Sequence, residues 1–428
     1  MFGDVITDAH GRPRHNGDAS GSGEFVVIPA LRAMPGHSGR FILTQKFIDG
    51  MGQFARRWPG PVTAVMRMAD QSDGSLDHVE TDPKDVPFGL EPIPHDSGAV
   101  DRRLANAQVV LAALVPDFAD LAARCCRGSV PLVYIAETDL RTRRQMIDAE
   151  TRHPLRRLRR KVRTTLVEQK FRKAVSLSAG VQCNGLPTYA AYHALNPHSI
   201  FFFDTRVGEA MLIDPERLER RIHRLLQPGP LRLAFSGRLT AIKGADHLPI
   251  MAAELRRLGV TFDMQICGDG DLSAAIERDI QRLGLTDCVT MRGVLDFHRQ
   301  LVPMMQDDVD LFACCHPQGD PSCTYLETMS CGVPIAGYDN DAFVGLAEQS
   351  AVGWTVSMNR PREMAQVIAR MNQDRPALAD AARRARAFAA GHTSEKTFKR
   401  RVDHMMAAGS SPRKHVAAEA SISIDASG

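Results

Sequence analysis

Residues 231–244 read LRLAFSGRLTAIKG, and this stretch decides how the second half of the chain folds. Its first five residues form an apolar run with the length of a buried strand. A glycine turn follows at Gly237, and Arg238 and Lys243 stand on the loop beyond it. Since the carboxyl end of a parallel strand is the usual ligand edge of an open α/β sheet, the two cations predict a phosphate site there. A basic loop that only caps a helix is the alternative.

Short apolar runs alternate with helical patterns on both sides of this stretch. The other runs lie at residues 25–29, 61–66, 109–114, 131–136, 181–183, 200–203, 262–267, 289–291, 310–315 and 334–338. Alternation of this kind is typical of doubly wound parallel sheets, so we predict the α/β class. The Pro- and Gly-rich residues 227–230 predict a linker between two such domains.

These patterns divide the chain into five segments. Residues 1–23 and 409–428 are rich in Gly, Ser and polar residues, and we expect both to be disordered tails. Residues 24–226 and 231–390 are expected to be two Rossmann-like domains that face each other across a cleft. Residues 391–408 are expected to form a helix that crosses back to the first domain.

Composition narrows the class of protein. The 428 residues are 44% hydrophobic and 24% charged, as is usual for a globular protein. The 53 basic and 50 acidic residues leave a net charge of +3, which is too small to indicate a nucleic-acid partner. Nine cysteines without a CxxC pair argue against a disulfide framework and against structural zinc. No apolar run approaches about 18 residues, and the first residues lack the basic and apolar regions of a signal peptide. We therefore expect a cytoplasmic protein.

A second loop of the 231–390 domain carries two glycines. Gly268 and Gly270 follow the apolar run 262–267, and they allow a ligand to approach the backbone. A third glycine, which would complete a dinucleotide-binding fingerprint, is absent. Hydride transfer is therefore disfavoured.

A third loop, after the run 310–315, leads into a short helix. Its opening residues are Pro321, Ser322, Cys323 and Thr324. The free N–H groups at the start of such a helix favour an anion, and Glu327 stands about one turn further on. A carboxylate beside a phosphate site is useful if it accepts hydrogen bonds from hydroxyl groups, such as those of a ribose. A surface glutamate that only stabilises the helix dipole is the alternative.

Taken together, the three loops resemble the family 4 (group 1) glycosyltransferases of the GT-B fold. The resemblance rests on GRL-x-x-x-KG at residues 237–244, GxG at 268–270 and E-x-M-x-x-G-x-P-I at 327–335. It implies that Arg238 and Lys243 bind the diphosphate of a sugar donor and that Glu327 binds its ribose. Gly237, the two glycines of the second loop and residues 321–324 would lie against the donor. Over the first 220 residues only the order of strands and helices carries the resemblance.

One position departs from the family pattern. The family usually has a second Glu eight residues before the ribose-binding one, where it contacts the transferred sugar, and here that position is Gly319. Asp320 is the substitute that we expect to orient the sugar. Asp308 and Asp310 form an apparent DxD metal motif, but they enter a strand at its amino end. We therefore predict neither a metal nor a cofactor, and we expect the basic loop to neutralise the leaving group.

The resemblance also implies that the acceptor binds the first domain. The glycine loop at residues 35–40, with Gly36 and Gly39, is the matching acceptor loop, and His37 there would orient the acceptor or the leaving phosphate. An exposed loop histidine without a role is the alternative. Glu137, at the end of the run 131–136, is a further candidate catalytic residue that points to the cleft.

Residues 141–173 are strongly basic. They hold thirteen Lys or Arg against three Asp or Glu, a net charge of +10, so the rest of the chain is net acidic. Apolar residues recur there at helical spacing, at Leu155, Leu158, Val162 and Leu166. A basic helix with such a stripe predicts contact with an anionic membrane surface, with Arg156, Arg157, Arg159 and Arg160 as the membrane residues. An ordinary helix packed on the first sheet, with its basic side in water, is the alternative.

The resemblance implies an activity. A hexose-type sugar would pass, with retention of configuration, from a nucleotide diphosphate sugar to a carbohydrate or lipid-linked acceptor, as in bacterial polysaccharide or cell-envelope glycan synthesis. The protein would be cytoplasmic or peripheral on the inner face of the plasma membrane. The position at Gly319 leaves open a sugar-nucleotide-binding subunit without transferase activity. A GT-B epimerase that acts on the nucleotide sugar itself is a further alternative.

Overall fold

The computed structural model describes residues 23–69, 78–94, 96–319 and 321–410, which form two α/β domains. The strands are β1 (Glu24–Ile28), β2 (Arg32–Pro35), β3 (Phe41–Thr44), β4 (Val62–Met68), β5 (His78–Thr81), β6 (Gly89–Pro92), β7 (Ala107–Ala113), β8 (Leu132–Ala136), β9 (Gly180–Asn184), β10 (Ser199–Phe202), β11 (Leu231–Ser236), β12 (Phe262–Cys267), β13 (Val289–Gly293), β14 (Leu311–Cys314), β15 (Ile335–Tyr338) and β16 (Trp354–Val356). The helices are α1 (Gln45–Arg57), α2 (Ser97–Leu104), α3 (Leu121–Arg127), α4 (Leu140–Glu150), α5 (Pro154–Leu177), α6 (Gly185–Tyr192), α7 (Pro215–Leu225), α8 (Leu248–Arg257), α9 (Ser273–Arg282), α10 (Val302–Asp308), α11 (Thr324–Ser330), α12 (Asp341–Ser350), α13 (Pro361–Gln373), α14 (Arg375–Gly391) and α15 (Ser394–Ser410).

The first sheet has a parallel centre and an antiparallel edge. Its order is β10-β9-β8-β7-β1-β4-β2-β3-β5, with β6 paired to β4, and β3 pairs antiparallel with both β2 and β5. The parallel strands read as apolar runs because helices cover both of their faces. Every apolar run predicted in this half coincides with one of these strands to within two residues at each end.

The second sheet is parallel throughout, in the order β13-β12-β11-β14-β15-β16. The chain winds outward from β11 in one direction and then returns to β14 on its other side. That reversal opens a crevice at the carboxyl ends of β11 and β14, where folds of this type bind ligands. The predicted doubly wound α/β class is confirmed in both halves.

The second hydrophobic core begins earlier in the chain than the linker suggested. Phe203, Val207 and Ile213, and the buried face of α7, pack with β11 and its neighbours. Arg221 of α7 is buried too, and its guanidinium donates to the carbonyls of Cys331 at 2.8 Å and of Met305 at 3.0 Å. Residues 203–225 thus belong to the second core, whereas the sequence placed the boundary at residue 226. The spacing of apolar residues in α7 predicts a buried helix face, but it does not indicate which of the two cores that face packs against.

The last described helix packs on the first domain. Phe398, Val402 and Met405 of α15 lie in the first core beside Phe54 of α1. Arg401 is buried, and its Nε donates to Gln182 Oε1 of β9 at 2.8 Å. Of the predicted tails, residues 1–22 and 411–428 lie outside the described residues, whereas residues 409 and 410 complete α15.

Candidate active site

Three loops of the second domain leave the carboxyl ends of neighbouring strands. They follow β11, β12 and β14 and comprise residues 236–244, 267–271 and 315–323. Because β11 and β14 are adjacent, the first and the third loop lie side by side at the crevice. These loops carry the residues that the sequence selected for binding a donor.

Glycines allow the first two loops to touch. A Cβ on Gly268 would lie 2.0 Å from the carbonyl oxygen of Gly237, and one on Gly270 would lie 2.5 Å from that of Leu239. The backbone N–H of Leu239 donates to the carbonyl of Asp269 at 2.9 Å. No side chain fits between the two backbones, so the glycines are required for the loops to pack on each other.

The two predicted phosphate-binding cations stand on the first loop. Arg238 is exposed, and Lys243 is half-buried at the end of a short 3₁₀ turn. Gly244 has a φ of 61° and a Cβ there would lie 1.9 Å from the carbonyl oxygen of Cys315, so this turn packs against the third loop. Burial, with a contribution from the charge of Lys243, holds the pKa of His316 well below its usual value. Lys243 therefore lies at the junction of the first and third loops.

Glu327 lies in the first turn of α11 and is already paired. Its Oε1 accepts a hydrogen bond from Arg206 Nε at 2.8 Å, and its side chain is 15% exposed. The Arg206 guanidinium in turn lies over the ring of Phe297, at 3.6 Å from the ring centre. Among the described residues, no hydrogen bond reaches Oε2 of Glu327. One carboxylate oxygen is thus fixed by Arg206, and the other remains for a ligand.

Polar side chains also follow three neighbouring strands of the first sheet. Glu137 follows β8, Asn184 ends β9, and Asp204 comes two residues after β10. Asn184 Nδ2 donates to Glu137 Oε2 at 2.6 Å, and its Oδ1 accepts from the backbone N–H of Asp204 at 3.0 Å. Lys46, near the start of α1, forms an ion pair with Asp204. These residues form a charged cluster, which we call the strand-end cluster.

The charges of the strand-end cluster shift its pKa values. Desolvation and the negative charge of Asp204 raise the pKa of Glu137. Burial opposes ionisation of Asp204 as well, but the charge and hydrogen bond of Lys46, together with the charge of Arg401 and a hydrogen bond from Cys323, outweigh it and lower the pKa of Asp204. The same pair keeps Lys46 protonated, because Asp204 raises the pKa of Lys46 against the effect of burial. Glu137 is therefore the carboxyl group of this cluster that most readily holds a proton.

The strand-end cluster meets the second domain at Cys323. The Lys46 Nζ lies 2.8 Å from Cys323 Sγ, and burial raises the pKa of that thiol to about 12. The neighbouring donor-loop residues Pro321 and Ser322 precede it, and α11 begins at Thr324. The predicted donor-binding segment thus lies directly against the first domain.

Gly319, where the family has a glutamate, is held by α4. Its N–H donates to Gln145 Oε1 at 2.9 Å, and its carbonyl accepts from Thr142 Oγ1 at 3.3 Å. A Cβ at this position would lie 2.9 Å from the same Thr142 oxygen. A longer side chain would collide with α4 in this arrangement of the two domains. Asp320, its predicted substitute, lies outside the described residues.

His37 contacts Glu80, and none of its contacts among the described residues is with the strand-end cluster. The loop that holds His37, with Gly36 and Gly39, connects β2 to β3. Its side chain is 94% exposed, and its Nδ1 lies 3.3 Å from Glu80 Oε1 of β5. No contact among the described residues joins His37 to Glu137 or to the second domain.

The apparent DxD motif lies at the opposite end of its strand from the donor loops. Asp310 is buried at the amino end of β14, where its Oδ2 accepts from the backbone N–H of Arg232 at 3.1 Å. Asp308 is 3.6 Å from the guanidinium of the same arginine. Both carboxylates thus have a structural partner away from the crevice.

The four predicted membrane arginines divide into two pairs on α5. Arg157 and Arg160 face α4, where they lie 3.6 Å from Asp148 and 3.0 Å from Glu150. Arg156 and Arg159 are exposed, and neither makes an ion pair among the described residues.

The sequence analysis missed four charged or polar residues of this cleft. Asn184 and Asp204 come directly after the predicted runs 181–183 and 200–203, as Glu137 comes after 131–136, so the rule that selected Glu137 would have selected them. Lys46 and Arg206 carry no comparable local signal. Their partners Asp204 and Glu327 are 158 and 121 residues away along the chain, and only the fold brings them together.

Relatives of this chain align with its second half. Residues 217–388 match the family described as glycosyl transferases group 1. The chain is similar to the amylovoran biosynthesis glycosyltransferase AmsK of Erwinia amylovora, with 26% identity over 175 residues, 40% of this chain and 41% of AmsK. It is also similar to the alpha-D-kanosaminyltransferase of Streptomyces kanamyceticus, with 29% identity over 161 residues, 38% of this chain and 41% of that enzyme. The alignments span about two fifths of each of these relatives.

A solved structure covers almost the whole chain. HepE of Anabaena, crystallised in complex with UDP, matches 90% of this chain and 99% of its own length, with a TM-score of 0.63 and 16% sequence identity. At this identity the likeness concerns the fold. The predicted architecture of two Rossmann-like domains that face each other is confirmed.

Proposed function

We propose that this chain, whose residues 217–388 match the group 1 glycosyl transferases, transfers a hexose-type sugar from a nucleotide diphosphate sugar to a hydroxyl group of a carbohydrate or lipid-linked acceptor. The observation that carries the proposal is the junction of the first and third loops, where Lys243 stands beside the crevice and Arg238 on the same loop. The names of the curated relatives support sugar transfer, and the UDP bound to HepE supports a nucleoside diphosphate as the ligand.

In this proposal the two cations stabilise the leaving group. When the bond between the anomeric carbon and the phosphate oxygen breaks, negative charge develops on the departing diphosphate. Arg238 and Lys243 neutralise that charge without reorganisation because the loops hold them in place beforehand. The reaction then needs no metal ion, since side-chain cations supply the charge that a metal would supply.

Glu327 positions the nucleoside. Its Oε1 is fixed by Arg206, which leaves the lone pairs of Oε2 to accept hydrogen bonds from the ribose hydroxyls. Bound in this way, the donor would extend from Glu327 across Lys243 toward the first domain. The transferred sugar then faces the strand-end cluster.

We propose that the sugar keeps its anomeric configuration. The acceptor hydroxyl attacks the anomeric carbon on the face from which the diphosphate departs, and its proton passes to an oxygen of the leaving phosphate. Glu137 and the pair of Lys46 and Asp204 are the groups that line the acceptor side. His37 would contact only an acceptor large enough to reach the β2–β3 loop.

Ligand-induced stabilisation tests the donor site. UDP, GDP and ADP are added separately to the purified chain, in EDTA, and the melting temperature is followed; a ligand at a hundred times its Kd should raise the free energy of unfolding by about 2.7 kcal/mol. The matching sugar nucleotide should then be hydrolysed slowly or transferred to an acceptor, still in EDTA. Stabilisation by none of the three would contradict the donor site. Binding without any turnover would instead favour the sugar-nucleotide-binding subunit.

The role of Glu327 predicts a specific order of affinities. Glu327→Gln keeps an acceptor for one ribose hydroxyl, whereas Glu327→Ala keeps none, so the Kd of the nucleoside diphosphate should rise more in the alanine variant. Loss of hydrogen bonds to a charged group costs about 1.5–3 kcal/mol, which corresponds to roughly a tenfold to hundredfold weaker complex. Isothermal titration calorimetry measures all three affinities.

The 2′,3′-dideoxy nucleotide is the control for Glu327. Both substitutions also remove the ion pair with Arg206, which could weaken binding by displacing Phe297. If Glu327 acts through the ribose hydroxyls, the Kd of the dideoxy nucleotide should be the same in the wild type and in both Glu327 variants. If the variants act by displacing Phe297, that Kd should rise as well. If the wild-type chain binds the ribose and dideoxy forms equally well, Glu327 does not bind the ribose.

A further inference from the structure

Helix α5 exposes a row of apolar side chains. Leu155, Leu158, Val162 and Leu166 are 71%, 62%, 53% and 58% exposed, and they are four of the ten large hydrophobic residues exposed in the described part of the chain. Residues spaced by three and four lie on one face of a helix, so the four form a continuous stripe. We call this the α5 stripe.

The stripe is not the face by which α5 packs on its domain. Phe171, Ala174 and Val175, toward the other end of the helix, are buried in the core on the face of the first sheet opposite to α15. The sequence also allowed an ordinary helix that buries its apolar stripe on the first sheet and turns its charges to water. That alternative does not describe α5, because its stripe is exposed. The helix has one apolar face for the core and a second one in solvent.

Basic side chains flank the stripe unequally. On the side toward α4, Arg157 and Lys161 lie near Asp148, and Arg160 pairs with Glu150, so α4 neutralises these charges. On the other side stands a row of three exposed arginines without ion pairs among the described residues, namely Arg156, Arg159 and Arg163. The solvent-facing surface of α5 thus joins an apolar stripe to uncompensated positive charge.

We propose that the α5 stripe and its row of arginines bind the chain to the surface of an anionic lipid bilayer. The four apolar side chains enter the boundary between headgroups and acyl chains, and the arginines contact lipid phosphates. A second copy of the chain fits less well, because two stripes in contact would bring two rows of arginines together. Among the described residues no helix has the length and apolar character needed to span a bilayer, so the contact is peripheral.

Vesicle sedimentation of the full chain tests the proposal. The chain should pellet with vesicles of equal parts phosphatidylglycerol and phosphatidylcholine at low salt, leave them at high salt, and bind pure phosphatidylcholine poorly. The triple variant Arg156→Glu, Arg159→Glu, Arg163→Glu should bind the anionic vesicles about a hundredfold more weakly, since each basic residue near such a surface contributes about fivefold. A matched control changes the exposed Arg278, Arg362 and Arg370 of the second domain to Glu and should keep wild-type binding.

A second pair of variants separates apolar insertion from charge. Leu155→Ser with Leu158→Ser keeps every charge and should weaken vesicle binding at least tenfold, whereas Leu226→Ser with Ile250→Ser, exposed elsewhere, should not. Unchanged melting temperatures and unchanged stabilisation by the nucleoside diphosphate show that the variants fold.

Two outcomes would overturn the proposal. One is vesicle binding by the α5 serine variant that equals that of the wild type. The other is a lipid-free wild-type dimer, seen by sedimentation velocity, that this variant converts to monomers, because the stripe would then be covered by a second copy.

Discussion

Replacing Lys243 by alanine is expected to lower kcat/KM for the sugar donor by about a hundredfold. Lys243 is the half-buried cation at the junction of the first and third loops, and one charge-assisted contact to a phosphate contributes about 1.5–3 kcal/mol. The charge on the diphosphate increases as the sugar leaves, so the loss should be larger in kcat than in donor binding. Steady-state kinetics with the donor found by melting, together with calorimetry of the nucleoside diphosphate, measure the two effects.

Two controls accompany Lys243→Ala. Lys399→Ala removes an exposed lysine whose ion-pair partner in the described part of the chain is Asp403, at 2.7 Å, and it should change neither rate nor affinity. The nucleoside without phosphates should bind the Lys243 variant as well as it binds the wild type. A variant with undiminished affinity for the nucleoside diphosphate and undiminished turnover would show that Lys243 does not contact the phosphates.

Gly244→Ala is expected to have the largest effect on stability. A Cβ there would lie 1.9 Å from the carbonyl oxygen of Cys315 and 2.8 Å from its carbon, so the first loop must move away from the third. The φ of 61° adds the left-handed strain of a non-glycine residue, about 1–2 kcal/mol. We expect a total loss of about 3–5 kcal/mol from the free energy of unfolding, measured in urea, because a collision with rigid backbone is among the costliest effects of a single substitution. Donor-induced stabilisation should also disappear.

Gly259→Ala is the matched control. Gly259 has a similar φ of 74°, but no atom lies within 4 Å of the position of its Cβ. The control therefore carries the backbone strain without the collision and should lose only about 1–2 kcal/mol. Equal losses in the two variants would mean that contact between the first and third loops is not what Gly244 provides.

The sequence predicted most of the parallel strands and missed five short strands, namely β2, β3, β5, β6 and β16. Most of the predicted runs are central strands whose residues are largely buried, and such strands read as apolar runs. The runs that form the edge strands β10 and β13 are mostly half-buried or exposed. By contrast, β2 reads RAMP and β6 reads GLEP, and their proline, glycine and charged residues do not form an apolar run. Their pairing depends on the strands beside them, which local sequence does not encode.

The donor side of the site was readable from sequence because its residues lie on three short loops. The glycines mark where backbones touch, and the cations stand within seven residues of a strand end. The first domain offers no such compact motif. Lys46 and Arg206 meet their partners Asp204 and Glu327 only in the folded chain. The contacts of Lys46 with Cys323 and of Gly319 with α4 also require the two domains to come together.

The return of α15 to the first domain links the order of synthesis to the order of folding. Phe398, Val402, Met405 and Ala408 complete a core on one face of the first sheet, and the other buried residues of that core are translated before residue 134. The ribosome must therefore produce the entire second domain before the first can close its core. During that interval the second domain can fold as a continuous unit, while the face of the first sheet that α15 covers keeps its apolar surface exposed. The apolar surface that stays exposed longest during synthesis is therefore on the first domain, although this domain emerges first from the ribosome. Chaperones that bind nascent chains would act mainly on that surface.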